Sequence, residues 1–421
     1  MDKGVLGRRA VLATSFGATL AAPLVARSQP AGSPVRIGFS IAQTGTLAAG
    51  GRPSLLARQL WMHDVNARGG LLGRPVELVF YDDQTSAATS PAIYAKLLDV
   101  DRVDLLVGPY GTPVQAPIMP MARQRGKLLF GNFSFRANEE MRYDRYFNIA
   151  PFGATPDAWP GAFVRLAHRR GLKRLAIMVA DAEGTVTLGA GARETARSLG
   201  MEVVYDQRYP FNTTEFSSVL RAVRSARPEA VYVGSFPNET AGIVRSVAEI
   251  GVGSSVQLFG GGMVGLQFAP LLESLGDAVN GLVNFQTYVP ERTMEFPGIR
   301  EFIDRYAVAA KAGGVDVLGF YLAPFNYAMG QVLEAAVKAV GSLEDEALSR
   351  HMKSAEFETV VGKIAFGPTG EWRDPRMVQV QFQGVRGTDV EQYRQAGRQV
   401  IVEPPELVSG ELRMPFERAR R

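Results

Sequence analysis

The chain has 421 residues, is 46% hydrophobic and contains no cysteine. That is apolar material for two ordinary domains, since single cores stop growing at roughly 250–300 residues, and it excludes disulfides, thiolate nucleophiles and cysteine-ligated metals. The formal net charge of +4 comes mostly from residues 1–32, where Lys3, Arg8, Arg9 and Arg27 stand against Asp2; the rest carries 42 basic and 41 acidic residues, with no basic surplus for nucleic acid.

Residues 1–32 read as an export signal: a charged start with Arg8-Arg9, an apolar run from Ala10 to about Val25, then small residues. The paired arginines point to the twin-arginine route, with an ordinary secretory signal as the alternative because Gly7 and Val11 flank the pair. The run is shorter than the ~20 residues that span a bilayer. The mature protein is therefore expected to be exported to the periplasm without a membrane span, cleavage falling between Ala26 and Ala31.

Val35-RIGFS opens the mature chain as a strand, followed by the turn-rich Gln43-TGTLAAGGRP. A helix follows from Ser54, with Leu55, Leu56, Gln59, Leu60, His63 and Val65 at helical spacing, and Gly69-Gly70 ends it. Val76-ELVFYDD is a strand, Ser90 to Val100 a helix, Val103-DLLVGP a strand, and Thr112 to Gln124 a helix. Strands continue at Lys127-LLFGN, Arg174-LAIMVAD, Met201-EVVYDQRY, Ala230-VYVGS and Val256-QLFG, with helical stretches between them. Such alternation argues for mostly parallel sheets flanked by helices, and its repetition before and after about Asn148 argues for two similar α/β lobes.

Gly260, Gly262 and Gly265 spell G-x-G-x-x-G after an apolar run. A dinucleotide site also needs an acid about 20 residues on, at the end of the next strand. The strand Gly281-LVNF ends instead in Gln286-Thr287. No cofactor is expected. His63, His168 and His351 are isolated without metal-ligand spacing, so no metal is expected. Asp82-Asp83 reads as a turn cap rather than an acid pair, and the closing Glu417-Arg-Ala-Arg-Arg421 as a solvated tail. What remains is binding. Gly108-PYGTPVQAPIMP leaves a buried strand and opens a helix, with Pro113 in the first turn, where its missing N–H has no partner to lose. Free backbone N–H groups and the Thr112 hydroxyl there favour an anion, unless Thr112 caps its own helix.

Ile37-GFSIAQTGTLA, Asn66-ARGGLLGRPVELVFYDDQT, Leu106-VGPYGT, Gly191-ARETARSLGMEVVYD, Phe216-SSVLRAVRSARPEAVYVGSFPNE and Val361-GKIAFGPTGEW occur in an order that resembles the leucine/isoleucine/valine-binding family, the periplasmic solute-binding proteins of branched-chain amino-acid-type ABC transporters. The resemblance runs nearly the whole mature length. It implies a type I periplasmic binding fold: lobe 1 from 33–149 plus 286–357, lobe 2 from 150–285 plus 358–403, and a tail at 404–421. The three crossovers would fall near Asn148–Pro151, Asn284–Tyr288 and Phe357–Val360, with Gly260–Val264 as a lobe 2 loop facing the cleft.

Carried over by position, the resemblance implies ligand contacts at Tyr110, Gly111 and Thr112 for a carboxylate, and at Phe133, Ser134 and Phe135 in the next segment. In lobe 2 it implies Gly184 (an aromatic position in other members), Phe236, Glu239, Gly262 and Met263. Amino-acid binders hold the ligand ammonium with an acid at the position of Gly262. Its loss points to a carboxylate without an amino group, aromatic or medium-length aliphatic, although Glu239 could replace the acid. The expected function is the non-catalytic solute-binding component of an ABC importer, a monomer that closes on a small molecule and presents it to a membrane permease. The alternatives are an amino-acid-binding protein, a ligand-sensing receptor module and, least favoured, an exported enzyme.

Overall fold

A computed structural model describes residues 32–420 except Pro156 and Ala158. Apart from Gly32, the expected export signal lies outside the described residues, as does Arg421.

Strands β1 (Val35–Ser40), β2 (Val76–Tyr81), β3 (Leu105–Tyr110), β4 (Leu129–Asn132) and β5 (Tyr146–Asn148) form an all-parallel sheet in the order β2-β1-β3-β4-β5. Strands β6 (Arg174–Ala180), β7 (Glu202–Tyr209), β8 (Ala230–Ser235), β9 (Leu258–Met263) and β10 (Val283–Gln286) run parallel in a second sheet. A separate hairpin, β11 (Glu356–Thr359) and β12 (Gly362–Ala365), comes next. Then β13 (Val378–Phe382) and β14 (Gln399–Glu403) complete the second sheet antiparallel, in the order β14-β13-β10-β9-β8-β6-β7. Every residue of β3 and of β8 is buried, as parallel strands covered by helices on both faces require.

The helices are α1 (Ala48–Ala67), α2 (Thr89–Asp99), α3 (Thr112–Gln115), α4 (Met119–Gln124), α5 (Gly161–Arg169), α6 (Glu183–Ser198), α7 (Ser217–Ser225), α8 (Pro237–Ile250), α9 (Ala269–Leu275), α10 (Ile299–Gly313), α11 (Ala323–Val340), α12 (Asp345–Ser354) and α13 (Phe416–Ala419). The expected helix over 112–124 is thus two short helices joined by a 3-10 turn at Ala116–Ile118. The chain returns to the smaller sheet after β10, because α10 and α11 pack on α1 and α12 packs on α11. Among the described residues no helix is long and apolar enough to cross a membrane.

Four expectations need correction. The buried stripe of α1 is Ser54, Leu55, Arg58, Trp61 and Val65, with His63 exposed. Arg58 can face inward because Asn326 Oδ1 accepts from its Nε at 2.9 Å and its guanidinium lies 4.3 Å over Phe39. Even so, burial pulls its pKa down to about 9.

The third crossing does not fall at 357–360. The β11–β12 hairpin packs on α11 and α12, and Phe366 sits against Phe130 and Phe147 of the smaller sheet at 5.7 and 5.1 Å. Trp372 still packs on Phe325 of α11 at 6.1 Å. The chain reaches the larger sheet only at Val378.

The closing segment is seated on the larger sheet: Ala419 is buried and Arg420 donates to the Val247 carbonyl at 3.2 Å, while Arg418 stays exposed. Gln381 both donates to and accepts from the Arg413 backbone (2.9 and 2.8 Å), and Phe416, 1% exposed, stacks on Phe259 at 5.5 Å.

Finally, Gly260–Met263 lies within strand β9 instead of forming a loop, and Val264 and Gly265 fall in the 3-10 turn that follows. Gly260 (φ +128°) lies in β9, where a Cβ would stand 2.0 Å from the Val283 carbonyl of β10, so the glycine admits its own neighbouring strand.

Candidate ligand cleft

Open parallel sheets bind ligands beyond the carboxyl ends of their strands, where strand order reverses. Here a cavity of about 530 Å³ is lined by the segments leaving those ends in both sheets. Leu47 follows β1, Tyr110 to Thr112 leave β3, and Phe133 and Phe135 follow β4. Glu183 and Gly184 follow β6, Phe236 and Pro237 follow β8, and Val264 and Phe268 follow β9. Its size lies within the roughly 300–1,000 Å³ usual for small-molecule sites.

The structure brings seven of the sequence-predicted residues to this wall: Tyr110, Gly111, Thr112, Phe133, Phe135, Gly184 and Phe236. Four lie elsewhere. Ser134 is fully buried behind the wall, with its carbonyl accepting from Asn148. Glu239 is fully buried at the start of α8, where Oε1 accepts from the Asn212 N–H at 2.7 Å, so it fastens a loop rather than meeting a ligand. Gly262 is inside β9, and a Cβ there would stand 2.5 Å from the Tyr232 hydroxyl and 2.9 Å from the Val233 carbonyl. Gly262 is therefore not part of the cavity wall. Met263 is sealed in, its backbone N–H donating to Asn284 Oδ1 and its carbonyl accepting from Asn284 Nδ2.

On the smaller-sheet side, Gly111 (φ +96°) precedes α3 and its carbonyl accepts from Gln115. Pro113 carries no N–H, so Thr112 and Val114 present N–H groups without an intrahelical acceptor. Thr112 does not cap its helix; its hydroxyl donates to the Phe135 carbonyl at 3.3 Å and ties the β3 loop to the β4 loop. The β4 loop is strained, with Phe133 and Arg136 both at φ +54°. Edge-on contacts with Phe152, Tyr321 and Phe325, at 5.1 to 5.4 Å, hold Phe133 there. Such strain persists only where the surroundings over-determine it, often at ligand sites.

Sequence reasoning missed the rest of the aromatic floor. Phe152 and Trp159 stack at 4.9 Å and 17°, and both meet Phe135 edge-on. Tyr321 meets Phe133 and Tyr110 on one side and Phe268 and Phe285 on the other. These residues sit in connecting segments with no periodicity; their one signal was aromatic density, as in Phe320-Tyr321. Among the described residues of the wall, Arg136 is the one cation, and it is paired with Glu139. Glu140 and Glu183 complete the charged rim.

Asp82 and Asp83 brace the site from outside. Asp82 accepts from the Gln43 and Gln84 N–H groups at 2.9 Å and from the Thr44 hydroxyl at 2.7 Å. Burial pushes its pKa up, but these bonds outweigh it and hold the carboxyl below the usual range. Asp83 accepts from the Ser40 hydroxyl at 2.8 Å.

A family model described as "Periplasmic binding protein" matches residues 34–384. The chain belongs to that family. This binding protein is 23% identical over 409 residues to the Leu/Ile/Val-binding protein homolog 7 of Brucella abortus, covering 94% of this chain and 97% of the relative. Its fold is shared by a solute-binding protein of an R. palustris ABC transporter solved with benzoate, at TM-score 0.70 and 19% identity, covering 88% and 96% of the two chains. It is likewise shared by a leucine-binding protein of Thermotoga maritima, at TM-score 0.69 and 21% identity, covering 84% and 94%.

Proposed function

We propose that this periplasmic binding protein is the non-catalytic solute-binding component of an ABC importer and takes a carboxylate-bearing, aromatic or medium-length aliphatic molecule lacking an amino group. It would reach the periplasm through the signal in residues 1–32 by the twin-arginine route, act as a monomer, close by hinge motion and deliver its solute to a membrane permease.

The observation that carries the ligand class is the floor of Phe133, Phe135, Phe152, Trp159 and Tyr321 beside the N–H groups of Thr112 and Val114 at the start of α3. Rings bury a flat apolar body, and the backbone donors take an anion without a full charge of their own. The loop after β9 adds Val264 and Phe268, both apolar, where an ammonium would need an acid. Solved neighbours in complex with benzoate and with 4-hydroxybenzoate support the aromatic-acid class.

A second ligand class has its own support. Glu183 and Glu140 line the rim and offer an ammonium partner, and a fold neighbour was solved with isoleucine. A thermal-shift screen separates the two. Residues 33–421, stripped of ligand by unfolding and refolding, would be tested with branched-chain and aromatic amino acids beside the matching acids without the amino group. A ligand at 100 times its Kd adds about 2.7 kcal/mol of stability. Shifts with plain acids support the proposal; shifts with amino acids alone overturn it and direct attention to Glu183.

A further inference from the structure

Tyr110 and Tyr321 place two phenol hydroxyls together on the cleft wall. Their rings meet edge-on, with centroids 6.4 Å apart at 81°. The residues are 6% and 5% exposed, and both line the cavity. They lie close enough to influence one another's ionisation. Burial pushes Tyr110 up to about 12 and Tyr321 well above the ordinary phenol value, so both stay protonated throughout the physiological range.

The pair is rigidly mounted. Tyr321 is wedged between Phe133 at 5.1 Å, Phe268 at 6.0 Å and Phe285 at 6.1 Å, and its carbonyl accepts from the Thr287 hydroxyl at 2.9 Å. A side chain fixed on several sides loses little entropy when it makes a new bond.

Two adjacent neutral hydroxyls differ chemically from the Thr112 turn, which only donates. When one phenol donates to the other, the pair still offers one donor and free lone pairs. That is the complement of a group which itself both donates and accepts. We propose that Tyr321, with Tyr110, is a specificity-determining pair that reads a hydroxyl substituent on the ligand ring, while the carboxylate is held at the start of α3. This rests on the aromatic-acid class proposed above. A site that hydrogen-bonds a ligand hydroxyl discriminates against the ligand lacking it, because its buried polar groups are then left unpaired.

The test is titration calorimetry of residues 33–421 with benzoate and its three monohydroxy isomers, for the unsubstituted chain, Tyr321→Phe and Tyr110→Phe. At least one hydroxy isomer should bind the unsubstituted protein about tenfold more tightly than benzoate, the worth of one hydrogen bond. In Tyr321→Phe that ratio should fall to within about twofold of unity, whatever the absolute affinities. An equal ratio in the two proteins overturns the hydroxyl pair while leaving the ligand class standing. Failure of all four acids to bind the unsubstituted protein overturns both. Should Tyr321→Phe not fold, Tyr110→Phe carries the same comparison, and an unchanged ratio there again overturns the pair.

Discussion

Glu371 is a carboxyl group buried beside β5 of the smaller sheet, with no cation bonded to it among the described residues. It is 4% exposed, and Oε2 accepts from Asn148 Nδ2 at 2.9 Å while Oε1 has no partner. Asn148 ends β5, at the first crossing, and its N–H donates to the Gly370 carbonyl at 2.8 Å. The Ser134 and Tyr146 hydroxyls, both buried and unpartnered, belong to the same cluster. Burial pushes Glu371 from 4.5 to about 8, against the opposing Asn148 bond. The folded-state pKa is raised, so the group's contribution to stability is complete below about pH 4.5. It is lost as pH rises toward 8, because unfolding then releases a carboxylate that the fold keeps protonated. That displacement corresponds to up to about 5 kcal/mol between the two limits. Glu371→Gln keeps shape and neutrality and removes the titration. Thermal unfolding of residues 33–421 from pH 5 to 9 should therefore give similar midpoints at pH 5 and an increasing advantage for the glutamine variant, reaching several degrees by pH 9. Parallel curves across that range would refute the burial argument, since nothing else in the substitution changes with pH.

Phe135→Ala should weaken an aromatic acid by about 10- to 100-fold in calorimetry, the worth of about 1.5–3 kcal/mol of lost side-chain burial; unchanged affinity would place the ring outside the ligand. Gly184→Phe should abolish the ligand-induced thermal shift while leaving the ligand-free midpoint within a degree or two. A Cβ at 184 would meet only Phe236 at 4.0 Å, so the added ring has open cleft to fill, and retained binding would show that the ligand does not occupy the space beside Gly184. Phe416→Ala should cost about 3–5 kcal/mol in denaturant unfolding, the range for emptying a packed aromatic site; a loss under 1 kcal/mol would mean that the tail is not held through that ring.

The strands announced themselves wherever a sheet buries both faces. Leu105–Tyr110 and Arg174–Ala180 are short apolar runs because helices cover them on both sides. The Tyr110–Thr112 turn was legible for a related reason: a buried strand followed by glycine, threonine and proline leaves few local conformations. Gly262 was misplaced because glycine in a cleft loop and glycine in a crowded strand look alike in one dimension. Only the Tyr232 hydroxyl and the Val233 carbonyl, brought alongside by pairing of β8 and β9, distinguish them. Arg58 broke the expected α1 stripe because its partner Asn326 lies 268 residues away. Trp159 and Tyr321 belong to connections whose positions are set by where the sheets sit, so no periodicity marked them. Phe416 was hidden by the charges around it, which promised solvent where the chain offers a stacked ring.

The seating of the closing segment on the larger sheet makes the two ends of the described chain reporters of separate sheets. Val35 begins a central strand of the smaller sheet, whereas Phe416 is anchored to Phe259 of the larger one. Ser33 and Arg418 are both exposed, and the chain contains no cysteine, so thiols introduced at these positions could carry a donor and an acceptor dye without competing sites. Energy transfer between them would follow lobe closure directly, turning the protein into its own optical gauge for whichever solute it holds.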